Sequence, residues 1–235
     1  MTAETDPRTE RRSPLSRERV LIAAVELADE EGLEALTMRH LAERLGVEAM
    51  SLYYHVANKE ALLDGIAEVV VAEINMAVAG HDGTSPEENW KTAMRERILI
   101  ARQVMLRHRW APTVLESRTS MNSQLLFYWH GLLEILRSGG VSYDLVHHSM
   151  HALGSRALGF TQELFEPATD EEEAASGEML QEMASQIPLM VEMLSEIAHD
   201  DPETTIGWCD DQTEFEFGLD LILDGIENRH LASRA

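Results

Sequence analysis

The chain contains one cysteine, Cys209, in 235 residues. A single thiol cannot close an intramolecular disulfide or form a cysteine zinc site, and the scarcity fits a reducing compartment. Positive charge is also scarce: 19 Lys and Arg stand against 42 Asp and Glu, a formal charge of −23. An even spread of that excess would oppose binding to a phosphate backbone. No apolar run is long enough to cross a bilayer, and the N-terminus lacks the basic-then-apolar pattern of a secretory signal. The expected location is the cytoplasm, with no membrane partner. HExxH, a Gly-rich phosphate loop, GxSxG and a Cys/His pair are all missing, and Glu163 and Asp144 form no evident acid pair. Catalysis therefore has no support, and no cofactor is expected. No β pattern and no internal repeat emerges, so the chain reads as all-α.

The charge is uneven. Residues 1–60 hold 8 basic and 12 acidic side chains, whereas residues 61–235 hold 11 and 30. Arg8, Arg11, Arg12, Arg17 and Arg19 crowd the first twenty positions. The excess of acid over base, −4 against −19, thus lies mostly outside the N-terminal part. Residues 1–15 are polar and charged and contain Pro7 and Pro14, the composition of a disordered arm.

Leu36 to Asp64, LTMRHLAERLGVEAMSLYYHVANKEALLD, carries the sharpest pattern. Thr37 suits an N-cap. Met38, Leu41, Ala42 and Leu45 share a helical face, and Gly46 suits a left-handed helix end. Glu48 to Ser51 reopens a helix running to His55, with Leu52 and Val56 inward. Helix, short Gly-containing turn and helix make a helix-turn-helix. The outward side offers Ala49, Met50, Ser51, Tyr53, Tyr54 and His55, an unusual set for a merely solvated surface. Tyr, Ser and His can bond to phosphates or base edges, and Ala and Met can touch thymine methyls. Arg39 can reach a guanine edge or a phosphate. Thr37, Tyr54 and Lys59 are among the backbone contacts, Lys59 at a helix start where free N–H groups also favour an anion.

LAERLGVEAMSLYYHVANKEALLD resembles the DNA-binding helices of the tetracycline-repressor (TetR) family of bacterial transcription regulators, above all at LGV, LYYHV, NK and ALLD. EFEFGLDLILDGIE resembles the last helix of the same family's C-terminal domain. VMLRHRWAPTV and HALGSRALGFTQELFE match it more loosely. The resemblance implies a homodimer that binds a double-stranded DNA operator and is released by a small-molecule effector. It also makes Arg17, which matches a basic position at the start of the first helix, a phosphate contact. The organisation implied is a helix-turn-helix domain over residues 16–62, joined by a long helix to a helical ligand-binding and dimerisation domain over residues 63–232. The alternative is a helical ligand- or partner-binding protein that no longer reads DNA.

Helical segments are expected at 16–31, 58–79, 87–109, 120–138, 142–166, 178–199, kinked or split at Pro188, and 212–228. The family's dimer interface pairs the helix at 142–166 and the last helix with their copies. Gly154, Ala157, Gly159, Gly218 and Gly225 would permit close approach there, with Phe215, Leu219 and Ile222 supplying apolar area.

The family's pocket lies within the C-terminal domain. The corresponding lining here is Asn75, Arg97, Ala101, Met105, Leu115, Arg118, Met121, Leu125, Trp129, Leu132 and Met150. Asn75 and Leu115 stand where tetracycline repressors have contacting histidines. Leu115 cannot complete a magnesium octahedron, so a metal–tetracycline complex is not the expected ligand. Arg97 and Arg118 would favour an anion if they face inward; facing solvent, they would pair with Glu96 or Glu116. His147 and His151, four residues apart and next to His148, have a metal-compatible spacing but no Cys partner, and no metal site is assigned.

Overall fold

The computed structural model describes residues 14–118, 122–159, 184–197 and 211–234. Most of the expected arm, the candidate lining residue Met121, and Cys209 lie outside them. Every regular element among the described residues is helical: α1 (Arg17–Glu31), α2 (Met38–Leu45), α3 (Ala49–Leu52), α4 (Lys59–Ala79), α5 (Pro86–Arg107), α6 (Ala111–Ser117), α7 (Ser123–Ser138), α8 (Tyr143–Gly159), α9 (Pro188–Ile197) and α10 (Asp211–Ala232). The chain forms two compact units, one up to Val69 and one from Val70 onward. None of the described helices is long and apolar enough to cross a membrane.

Local chemistry sets the helix ends of the first unit. The Ser16 hydroxyl accepts from the Arg19 N–H and caps α1. The Thr37 hydroxyl accepts from the His40 N–H and caps α2. Gly46 closes α2 at φ +67°, a conformation costly for residues with a Cβ. Its N–H donates to Glu43, and the Val47 N–H donates back to Ala42, which turns the chain toward α3. Val20, Leu27, Leu36, Leu41, Leu52, Leu62 and Ile66 are fully buried. Each such burial contributes roughly 1.5–3 kcal/mol, so this small unit is held mainly by its apolar faces. α1 and α2 are also clamped by Arg44, whose Nη1 and Nη2 donate to the two carboxylate oxygens of Glu30 at 2.6 and 2.7 Å.

In the second unit, α5 packs on α7 and α10, and α8 packs on α6, α7 and α10. The core gathers Met94 and Ile98 from α5, Leu132 and Leu136 from α7, Leu153 from α8, and Phe215, Leu219 and Leu223 from α10. Ion pairs run beside it. Lys91 meets Asp224 and Glu227, while Arg95 meets Asp220 and Glu216. The acids of α10 therefore recur at helical spacing along the side facing α5.

Two expectations need adjusting, and one is met. The reading helix was expected to reach His55, but α3 ends at Leu52. The Leu52 carbonyl accepts from both His55 and Val56, closing a turn that buries Val56. The break expected at Pro188 is present: residues 184–186 are a turn and α9 starts at Pro188, whose missing N–H is harmless in a first helical turn. Phe215 and Leu219 do not face outward for a partner; both are essentially inaccessible in the unit's own core, with Ile222 packed against it. A Cβ at Gly218 would crowd the Arg156 guanidinium, so that glycine serves a contact within the chain.

Candidate DNA-binding face and effector region

The turn at Gly46 and the burial of Leu52 and Val56 fix how α3 is rotated. Leu52 is the anchor, and the residues around it are left outside. Tyr54 is 89% exposed, Met50 69% and Tyr53 44%. Ala49, Ser51 and His55 are half-buried, and Thr37 and Lys59 are exposed. Met50 and Tyr54 stand mostly in water and Tyr53 nearly half so, more exposed apolar and aromatic surface than a short solvated segment needs.

Arg39 projects from the first turn of α2, and its Nε donates to Glu43 at 2.9 Å. Both side chains are well exposed, so this pair is worth little and can exchange for a phosphate or a base edge. Arg17 Nη2 lies 3.5 Å from Glu68, again on the surface. Thr37 uses its hydroxyl as the α2 cap. At the start of α4, Asn58 Oδ1 accepts from the Ala61 N–H at 2.8 Å and places Lys59 in the first turn. Asn58 belongs with the expected residues because it orients Lys59, and its signal was the Asn-Lys-Glu helix opening. Arg44 is committed elsewhere: its hydrogen bonds draw the Glu30 carboxyl below the usual range and raise the guanidinium's own value.

The effector-region candidates divide by burial. Ala101 and Met105 of α5 and Leu132 of α7 are buried. Leu115, Leu125 and Met150 are half-buried. Trp129 is partly exposed. Asn75 Nδ2 donates to the Gln124 carbonyl at 2.9 Å and to Gln124 Oε1 at 3.0 Å, joining α4 to the start of α7. Arg118 ends α6 in extended geometry, with Nε donating to Ser117 Oγ at 3.3 Å.

Arg97 is half-buried between α5 and α7 and does not pair with Glu96. Glu96 instead accepts from the N–H and hydroxyl of Thr84 at 2.8 and 2.9 Å. The Arg97 guanidinium lies over Tyr128, 5.2 Å from the ring centroid. Burial holds Arg97 below the usual arginine range and pushes the Tyr128 hydroxyl up to about 12. Gln124 and Tyr128 were not singled out from sequence. Their partners lie 49 and 31 residues away, beyond any helical periodicity.

His147 and His151 stand with ring centroids 4.8 Å apart on the exposed side of α8. No group of three or more metal-ligating side chains occurs among the described residues.

Residues 20–66 match the model of bacterial regulatory proteins of the tetR family, and residues 83–230 match the tetracyclin repressor-like C-terminal domain. The chain is 29% identical over 221 residues to the tetracycline repressor protein class C of Escherichia coli, covering 93% of this chain and 94% of that protein. It is 30% identical over 220 residues to the HTH-type transcriptional repressor DrrR1 of Streptomyces coeruleorubidus, covering 91% and 77%. Among solved structures, it is similar to a possible TetR family transcriptional regulator from Streptomyces coelicolor, with TM-score 0.72, 27% identity, and 91% and 99% of the two chains covered. It is also similar to the Streptomyces coelicolor TetR family protein ActR in complex with (S)-DNPA, with TM-score 0.69, 26% identity, and 92% and 98% covered. Both domain matches fall on this one chain and together span most of it: the chain belongs to the TetR family of transcriptional regulators, a non-enzymatic family.

Proposed function

We propose that this regulator is a repressor that holds an operator as a homodimer in the cytoplasm and is released when a small molecule binds its second unit. The observation that carries the DNA part is the outward set Met50, Tyr53 and Tyr54 on a segment anchored by buried Leu52. These side chains read base edges and methyl groups. Arg39, Lys59, Arg17, Thr37 and Ser51 meet the backbone, with Ala49 and His55 completing the surface. A two-fold dimer places two such segments one helical turn of DNA apart, about 34–36 Å.

The dimer surface we assign is the outer side of α8 and α10. Phe217 and Leu221 lie one turn apart and are 61% and 57% exposed. A Cβ at Gly225 or Gly154 would meet nothing within 4 Å. Apolar side chains beside bare backbone suit helix-on-helix contact with a second copy.

Coupling follows from α4, which is one helix from Lys59 to Ala79. A ligand in the second unit that displaces α4 near Asn75 acts on the same helix that presents Lys59. Release then reflects tighter ligand binding to the dimer geometry that fits the operator less well. DrrR1 is named a repressor and ActR was solved with a small molecule, which supports this order of events here.

Selection of duplexes from a random-sequence library by the full-length protein, followed by footprinting, tests the proposal. An inverted-repeat site protected on one face of the duplex is expected. Failure to enrich any sequence at low salt would favour a helical binding protein that does not read DNA.

A further inference from the structure

The cations of α5 are sorted by face. Lys91 and Arg95 turn toward α10, and each finds two carboxylates. Arg97, two residues on, turns toward α7 and finds none among the described residues. Its Nη2 donates to the Tyr128 carbonyl oxygen across 3.3 Å. Its Nε is buried and meets no acceptor. Glu134 is felt only through space, and burial still prevails in lowering the guanidinium's value. The slot is shaped to hold it: a Cβ at Gly131 would overlap the guanidinium, so the helix is bare where Arg97 lies.

Burying a cation without a counter-ion is unfavourable. With 42 acidic residues in the chain, shortage of acid does not explain it. The alternative is that the counter-ion arrives from outside. We infer that Arg97 recognises the negative charge of the effector, and that the effector is an organic carboxylate. A planar guanidinium matches a planar carboxylate through two parallel hydrogen bonds, and the Tyr128 ring already supports its face. This inference rests on the second unit being the effector-binding unit.

The experiment compares benzoate, salicylate and naphthoate with their primary amides, which have the same shape without the charge. Thermal melting of the full-length protein is followed with each compound at millimolar concentration. At least one acid is expected to raise the melting temperature by a few degrees while its amide does not. Arg97→Met is expected to abolish that rise and, without compound, to melt no lower than the parent, because it removes an unmatched charge. The inference is overturned if no acid stabilises the protein, if acid and amide act alike, or if Arg97→Met keeps the shift. It is also overturned if Arg97→Met melts markedly lower unliganded, which would make Arg97 a packing residue on Tyr128. Binding of both proteins to the selected duplex without compound separates the two claims. Equal affinity is expected, and loss of DNA binding by the parent would remove the regulator proposal without touching the acid–amide comparison.

Discussion

His108 Nε2 lies 3.1 Å from Glu73 Oε2, so the residue that ends α5 is tied to the middle of α4. A carboxylate can only accept, which makes Nε2–H the donor. Arg107 donates to the other oxygen, and Glu73 is thereby held by two consecutive residues. Burial pushes the Glu73 carboxyl up, but the bonds from Arg107 and His108 outweigh it and leave it below the ordinary 4.5. A depressed carboxylate contributes stability above its unfolded value and loses it as pH falls through the folded value. Glu73→Gln should therefore lower stability near neutral pH by about 1 kcal/mol, a figure kept small by its partial exposure. Melting curves of both proteins should converge as the pH drops below 4.5. A gap that persists in acid would assign the loss to packing instead of charge.

Tyr54 offers the cleanest separation of DNA contact from folding. At 89% exposure it contributes almost nothing to the core. Tyr54→Ala should leave stability within about 0.5 kcal/mol. Its affinity for the selected duplex should fall by roughly 10- to 100-fold, the equivalent of about 1–3 kcal/mol. Fluorescence anisotropy paired with thermal melting measures both. Leu52→Ala, by contrast, should cost about 2–5 kcal/mol of folding stability, because Leu52 is fully buried.

The first unit was legible because its determinants are local. Thr37, Gly46 and the spacing of Leu41, Leu45 and Leu52 each act within a turn or two of themselves, and the caps and buried positions follow from them. The end of α3 was less legible, since periodicity continues through Tyr53 to His55 while the double acceptance by Leu52 closes the segment early. In the second unit, the faces of α10 were misassigned. Phe215, Phe217, Leu219 and Leu221 alternate closely enough that sequence cannot say which pair enters the core. The packing of α5 and α8 decides it, burying Phe215 and Leu219. The surroundings of Arg97 were beyond sequence for the same reason, as Tyr128 and Gly131 reach it only through the α5–α7 contact.

The cap on α2 ties stability to the DNA face. The Thr37 hydroxyl satisfies the His40 N–H at 3.1 Å, and α2 has only eight residues. Losing one cap from so short a helix matters. Thr37→Ala should destabilise the protein by about 1 kcal/mol, whereas Thr37→Ser should restore most of it. Urea unfolding measures the difference. If Thr37 also meets a phosphate, Thr37→Ala should weaken DNA binding beyond what its stability loss explains, and the salt dependence of binding should change little, because a hydroxyl releases no counter-ion.

The proposed dimer surface is tested by two leucines two residues apart on α10. Leu221 is exposed and Leu219 is buried in the core. A charge at 221 meets water in a monomer but apolar surface in a dimer, so Leu221→Asp should damage assembly and leave the subunit's own core alone. Sedimentation velocity should show the parent as a dimer and Leu221→Asp shifted toward monomer, with affinity for a two-half-site duplex reduced in step. Adding Phe217→Asp should complete the shift. Leu219→Ala should instead lower stability by about 2–5 kcal/mol whatever the assembly state. A Leu221→Asp protein that sediments as a dimer would move the interface away from this side of α10.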